Sequence, residues 1–162
     1  MKLIKNRLIT VSFLLVLSLS LAGCGGKVLP REVYRVRDML ENYYHSLLRL
    51  HSYNARLFLL PGGESEQRFE TVFREFQAFR ARKVERYNRT ETRIANFDIE
   101  VEEDTAHIAW FMVTYCDWNS DELDEEPKWT GTCVNCPGEC GQLQYPSYNG
   151  TARRIDGRWY LE

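Results

Sequence analysis

The chain has 162 residues, 44% hydrophobic and 13% aromatic, which is one domain's length with enough apolar material for a core. With the three basic residues of the first seven positions set aside, 18 Lys plus Arg stand against 23 Asp plus Glu, a net charge of −5. That sign argues against nucleic acid as the main partner. The charge is also uneven. Residues 24–93 hold 14 basic and 9 acidic side chains, and residues 94–162 hold 4 and 14, a pattern of oppositely charged solvated faces.

Lys2, Lys5 and Arg7 open the chain with no acid among them. Residues 8–21 then form an apolar run diluted by Thr10, Ser12, Ser18 and Ser20. It is shorter than the roughly 20 residues that a spanning helix needs, and has the size of a signal-peptide core. The run ends in Leu21-Ala22-Gly23-Cys24, which resembles the lipobox of exported bacterial lipoproteins. The resemblance implies removal of residues 1–23 and acylation of Cys24 with two or three chains of the palmitate type. Each buried methylene contributes about 0.8 kcal/mol, so several chains hold stably where one holds weakly. Gly25 and Gly26 follow with no aspartate, which in a two-membrane host implies the periplasmic face of the outer membrane. Residues 24–30 read as a tether.

A helical period begins at Arg31. Val33, Val36, Leu40, Tyr43, Leu47 and Leu50 recur at steps of three and four, with Tyr44, Leu48 and His51 widening the stripe. Pro30 suits a helix start because its missing N–H would be unpaired there in any case. Residues 53–60 extend this helix or form a second short one, and Pro61-Gly62-Gly63 stops it. Ser65 is the expected N-cap of the next helix, with Glu66 in its first turn. Phe69, Val72, Phe73, Phe76 and Phe79 make an aromatic stripe that packs on a sheet or walls a pocket. A basic run follows at Arg80, Arg82, Lys83, Arg86, Arg89 and Arg93, complementing the helix dipole or offering an anion patch.

From Arg93 the period is two. Ala95, Phe97, Ile99 and Val101 are expected on one face, Asn96, Asp98, Glu100 and Glu102 on the other, with a turn at Glu103-Asp104. Residues 105–118 read as a longer strand apolar on both faces, with Ala106, Ile108, Trp110 and Met112 opposed to Ala109, Phe111, Val113 and Tyr115. Such a strand belongs in the middle of a sheet. An acidic loop and a cysteine-rich loop make an insertion over 117–147. Residues 148–155 and 158–161 form a hairpin closed by Asp156-Gly157.

Helices followed by a curved antiparallel meander place this chain near a known family. The helix of residues 34–50, the hairpin of residues 98–109 and the ending Ile155-Asp-Gly-Arg-Trp-Tyr-Leu161 resemble the nuclear transport factor 2-like superfamily, over residues 31–162. The resemblance implies an α+β fold with N-terminal helices packed on a curved antiparallel sheet, cone-shaped. An apolar outer sheet face would add a homodimer contact.

Four cysteines remain beyond Cys24: Cys116, Cys133, Cys136 and Cys140. Export to an oxidising compartment and an even count favour two disulfides, in any of three connectivities. A four-thiolate zinc site is the alternative, since Cys133-x2-Cys136 has zinc-knuckle spacing. A redox pair is the third option, though such pairs normally stand at a helix N-terminus. No other cofactor is expected.

For acid–base chemistry the chain offers His45, His51, His107 and Asp98. Enzymes of the resembled superfamily set an Asp or His base and Tyr donors in the cone, but none of their catalytic motifs aligns here. His45 reads on the polar side of its helix, Asp98 away from Phe97 and Ile99, and His107 on the face of Phe111. A base must reach its proton at about 3 Å, and nothing in the spacing brings two of these together. Tyr43, Phe76, Trp110 and Tyr115 are the pocket candidates. The expected function is therefore a lipid-anchored, non-enzymatic cell-envelope domain binding a small molecule or a protein partner. An isomerase- or dehydratase-like enzyme using His45, His107 or Asp98, and a zinc or redox module, are the alternatives.

Overall fold

A computed structural model describes residues 30–82, 87–119, 127–130 and 133–162. The leader, Cys24, the tether up to residue 29, and Lys83 and Arg86 of the basic run lie outside the described residues. So do residues 120–126 of the acidic loop and the side chains of Thr130, Cys133 and Val134. Residues 31–162 make one compact unit.

Helix α1 (Arg31–Leu48) forms where the three-four apolar period predicts it, and it buries Val33, Val36, Leu40, Tyr43, Tyr44 and Leu47. Full burial of each such side chain contributes about 1.5–3 kcal/mol. The expected apolar member Leu50 is 38% exposed instead, because the helix has already ended. His51 N–H donates to the Ser46 carbonyl and Leu50 N–H to that of Leu47, the paired bonds of a Schellman ending. Leu50 occupies the left-handed position at φ 55°, which glycine favours. Helix α2 (Ser52–Arg56) is the short second helix.

Helix α3 (Glu64–Ala81) starts one residue before the expected cap. Gly63 is the N-cap, and the Glu66 carboxylate accepts the Gly62 N–H at 2.7 Å. Ser65 lies inside the helix because its hydroxyl is used elsewhere, donating to the Glu162 carbonyl at 2.6 Å. Phe69 and Phe76 of the aromatic stripe are buried.

Among the described residues seven strands follow: β1 (Arg89–Glu102), β2 (Thr105–Trp118), β3 (Lys128–Thr130), β4 (Cys133–Asn135), β5 (Glu139–Tyr145), β6 (Gly150–Ile155) and β7 (Arg158–Leu161). The main sheet runs β1-β2-β6-β7, with β5 also on β2. Central β2 pairs with β1 along one edge. On its other edge it pairs first with β6 and then, from Phe111, with β5. Asp156 (φ 50°) and Gly157 (φ 77°) close the last hairpin, as their dipeptide foretells. The result is the α+β arrangement expected, with helices on a curved antiparallel sheet.

Two expectations fail here for identifiable reasons. The segment 117–147 is not all loop. β5 lies within it, and Gly141, Leu143 and Tyr145 stand opposite Tyr115, Val113 and Phe111 on the inner face. The facing of β1 and β2 also changes partway along. Pairing skips Asn96 on β1, which takes φ 48°, and Ala109 on β2. Each bulge shifts the alternation by one residue. Ala106, Ile108, Phe111, Val113 and Tyr115 are therefore buried together, while His107 and Trp110 are exposed.

At the far end of the sheet, Asp117 is fully buried with no exposed side-chain surface. Its carboxylate accepts from Arg80 of α3 at 2.5 Å and from the Thr90 hydroxyl at 2.7 Å. Removing one partner of a buried pair typically costs about 3–5 kcal/mol, because the remaining charge is stranded. Arg80→Ala is expected to lose stability of that order in denaturant unfolding. The double change Arg80→Leu with Asp117→Leu should recover most of the loss; equal losses in both variants would show that the pair is not what holds this corner. Leu50→Gly should raise stability by about 1 kcal/mol in the same measurement by relieving the left-handed leucine.

Candidate functional site

The concave side of the sheet is filled by aromatic rings that come from opposite ends of the sequence. Tyr44 of α1 lies 5.3 Å from Phe111, 5.1 Å from Tyr145 and 6.1 Å from Phe76, centroid to centroid. Phe111 stacks on Tyr145 at 4.8 Å and meets Tyr148 edge-on at 5.0 Å. Such pairs add about 0.5–1.5 kcal/mol each beyond their area. The Tyr44 hydroxyl hydrogen-bonds that of Tyr145. Burial pushes all these phenols up: Tyr145 and Tyr148 to about 12, and Tyr43 and Tyr44 further. They remain protonated donors across the ordinary pH range.

Beside this plug a cleft of about 230 Å³ opens between α1, α3 and the β5–β6 connection, lined by Tyr43, Tyr44, Ser65, Arg68, Val72 and Tyr148 among others. Glu64 and Glu162 add carboxylates at its rim, the first paired with Arg68 at 2.6 Å. Tyr148 reaches the cleft because Gly150 leaves room: a Cβ there would stand 2.2 Å from the Tyr148 ring. A shallower groove of about 330 Å³ lies elsewhere, between Arg35, Asp38, Met39, Phe58, Arg158 and Trp159.

Of the expected pocket residues, Tyr43 lines the cleft. Phe76 belongs to the plug through Tyr44, and Tyr115 packs edge-on against Phe79 at 6.1 Å, further along β2. Trp110 stands on the opposite face of the sheet, 37% exposed, because the Ala109 bulge turned it outward. Tyr145 and Tyr148 were missed. The signal for Tyr145 was the period of two through Gly141, Leu143 and Tyr145, which reads as a strand once the cysteines are not taken as marking a loop; Tyr148, in the β5–β6 connection, had no local signal.

The titratable candidates stand apart. His107 is exposed opposite Glu100, and not with Phe111 as its sequence position suggested. Asp98 is exposed opposite Trp110. His51 is exposed beyond the end of α1. His45 lies on the polar side of α1 as expected, yet half-buried against β1, with Nδ1 3.4 Å from the Thr92 hydroxyl. It belongs to a row one helical turn apart in which Glu41 accepts the Ile94 N–H at 3.0 Å and Arg49 donates to the Asn88 carbonyl at 3.2 Å. Within the row Glu41 satisfies one N–H on the free edge of β1, and α1 covers that edge, which would otherwise invite pairing with another chain.

Cys116 and Cys136 form a disulfide, and Cys140 is free and exposed. The expected second bond is therefore not made by Cys140, and the Cys133 side chain lies outside the described residues. Two of the four thiolates of the zinc alternative are spent in this bond. Among the described residues no group of three or more His, Cys, Asp and Glu could hold a metal ion.

No family model matches this chain, and no curated protein does. Solved structures similar to it include a candidate scytalone dehydratase from Novosphingobium aromaticivorans, 14% identical with TM-score 0.44, covering 80% of this chain and 78% of that one. Another is a protein of unknown function from Mycobacterium tuberculosis, 15% identical with TM-score 0.44, covering 86% and 73%. Neither likeness assigns an activity to this chain.

The row along β1 carries a pH dependence. Burial, and then the charges of Arg49 and His51, hold the His45 pKa below its ordinary 6.5, so the fold prefers the neutral ring. As pH falls below 6.5 the unfolded chain takes up a proton that the folded chain resists, and stability declines until the lowered pKa is passed. Glu41 acts in the opposite sense. Burial raises its pKa above 4.5, so its contribution is present in acid and lost as pH rises through the raised value. His45→Gln is expected to flatten the decline that begins near pH 6.5 in thermal unfolding series. An unchanged slope would place that decline on another group.

Proposed function

We propose that this chain is a lipid-anchored cell-envelope protein whose domain binds a small molecule in the cleft beside Tyr43 and Tyr148. The anchor rests on the basic start, the short apolar run and the Leu-Ala-Gly-Cys24 ending. The observation that carries the binding reading is the cleft itself, about 230 Å³ in volume and lined by Tyr43 and Tyr148. Ligand sites commonly combine an apolar wall with a few placed polar groups, and this cleft is somewhat smaller than their usual ~300–1,000 Å³. Aromatic rings and Val72 supply the wall. Phenols held protonated by burial supply donors, which suits a compact, partly apolar ligand carrying an acceptor oxygen.

Binding fits the geometry better than catalysis does, because His45, His107 and Asp98 occupy three separate places and none lines the cleft. The domain is then a receptor or carrier held at a membrane surface by Cys24, with the cleft on the helical side of the sheet.

Acetophenone, a small aryl ketone, is a suitable probe in an NMR titration. Shifts are expected to concentrate on Tyr43, Val72 and Tyr148. Gly150→Ala, which displaces the Tyr148 ring, should weaken the response about tenfold or more. Shifts scattered over the surface, or the same affinity in the variant, would remove the cleft as the site. Mass spectrometry of the mature protein should find an acylated Cys24 at its N-terminus; an uncleaved or unacylated chain refutes the anchor without touching the cleft.

A further inference from the structure

Two independent features draw three cysteines to one end of β2. The β2–β5 register sets Cys140 directly opposite Cys116, and the disulfide joins Cys116 to Cys136 with Cα atoms 5.6 Å apart. Directly opposed residues of an antiparallel ladder have Cα atoms about 4.5–5.5 Å apart, inside the span that a disulfide bridges. Their side chains also leave the same face of the sheet. Cys140 is thus an exposed thiol on the residue paired across the ladder with Cys116, whose sulfur is already bonded to Cys136. The intervening turn is pressed onto β2. A Cβ at Gly138 would stand 2.1 Å from the Asp117 carbonyl oxygen and 2.9 Å from the Trp118 Cα. Residues 136 and 140 are therefore both delivered to the same short stretch of strand.

We infer that this is a thiol–disulfide exchange site in which Cys116 alternates between Cys136 and Cys140. The Cys140 thiol loses its proton to water and its thiolate attacks the Cys116 sulfur. A Cys140–Cys116 bond forms, the Cys116–Cys136 bond breaks, and Cys136 leaves with the electron pair and takes up a proton. One disulfide and one thiol stand on each side, so no oxidant or reductant is consumed. The present bond closes a sequence separation of 20, and the alternative closes four residues more. Loop-closure entropy changes slowly with length, so chain entropy does not favour either bond strongly. The two states differ in what they hold. The bond to Cys136 straps the Pro137-Gly138 turn onto β2. The bond to Cys140 lies within the ladder and leaves that turn unstrapped. This exchange would control how the turn is held on β2, and it is independent of the Tyr43 cleft.

The test is disulfide mapping of the full chain, purified without reductant, held at about pH 8.5, where thiols generally ionise, then quenched in acid and alkylated. Two populations are expected: Cys116–Cys136 with Cys140 alkylated, and Cys116–Cys140 with Cys136 alkylated. The second should grow over hours to a constant share. Cys140→Ser should hold the first form alone, and Cys136→Ser oxidised in air should give Cys116–Cys140. Mapping of the unmodified protein decides the matter whether or not either variant folds. A Cys116–Cys136 bond that persists alone with Cys140 fully alkylated overturns the inference, as does a Cys140 found bonded to Cys133.

Discussion

The bulge at Ala109 governs the shape of this domain. Up to Ile108 strand β2 pairs with β6; from Phe111 it pairs with β5, and the skipped residue lies between the two partners. The Ala109 carbonyl, left out of the ladder with β1, accepts the Asn149 N–H at 3.2 Å, so the connection from β5 to β6 is fastened where the strand bends. A bulge increases local twist and curvature. Here it also returns Phe111 to the inner face after Ile108, so the inner face carries large side chains along the whole of β2.

That arrangement explains why the concave side is plugged and yet retains a cleft. Phe111, Tyr145 and Tyr148 come from the sheet side, and Tyr44 and Phe76 from the helices, and they meet at ring distances of about 5–6 Å. Flat rings on a curved sheet leave a gap at the margin, where Tyr43 and Val72 line the cleft across from Tyr148. The helices are pinned at several points outside the plug. Glu32 at the start of α1 accepts the Trp159 N–H at 3.0 Å and pairs with Arg154, which in turn pairs with Asp104 in the β1–β2 turn. Arg80 pins the end of α3 to Asp117. The cleft is thus bounded by elements fixed at both ends of the sheet.

The outer face is of a different kind. Near the end of β2 the guanidinium of Arg93 lies 4.6 Å from the Trp129 ring centroid, bringing the β3–β4 hairpin over β1. Thr114 is buried there, and among the described residues neither its hydroxyl nor the Trp129 N–H has a hydrogen-bond partner. A buried polar group left without a partner costs stability.

Much of this architecture is legible in the residues themselves, because local periodicity and turn chemistry act over a few positions. The α1 stripe, the Thr105–Trp118 strand and the Asp156-Gly157 hairpin follow from side chains that recur at steps of three to four or two, and from a dipeptide that tolerates positive φ. The Cys24 motif is likewise a local signal. Tertiary structure alone decided which way the side chains beyond each bulge point, since one skipped residue reverses every later position and leaves no mark in a pattern that is apolar on both faces. That is why Trp110 went outward and Phe111 inward. Tertiary structure also turned His45 toward Thr92, delivered Tyr148 to the cleft across Gly150, and chose Cys136 over Cys140 as the partner of Cys116. Each of these depends on contacts between residues far apart in the chain, whose distances only the packed fold sets.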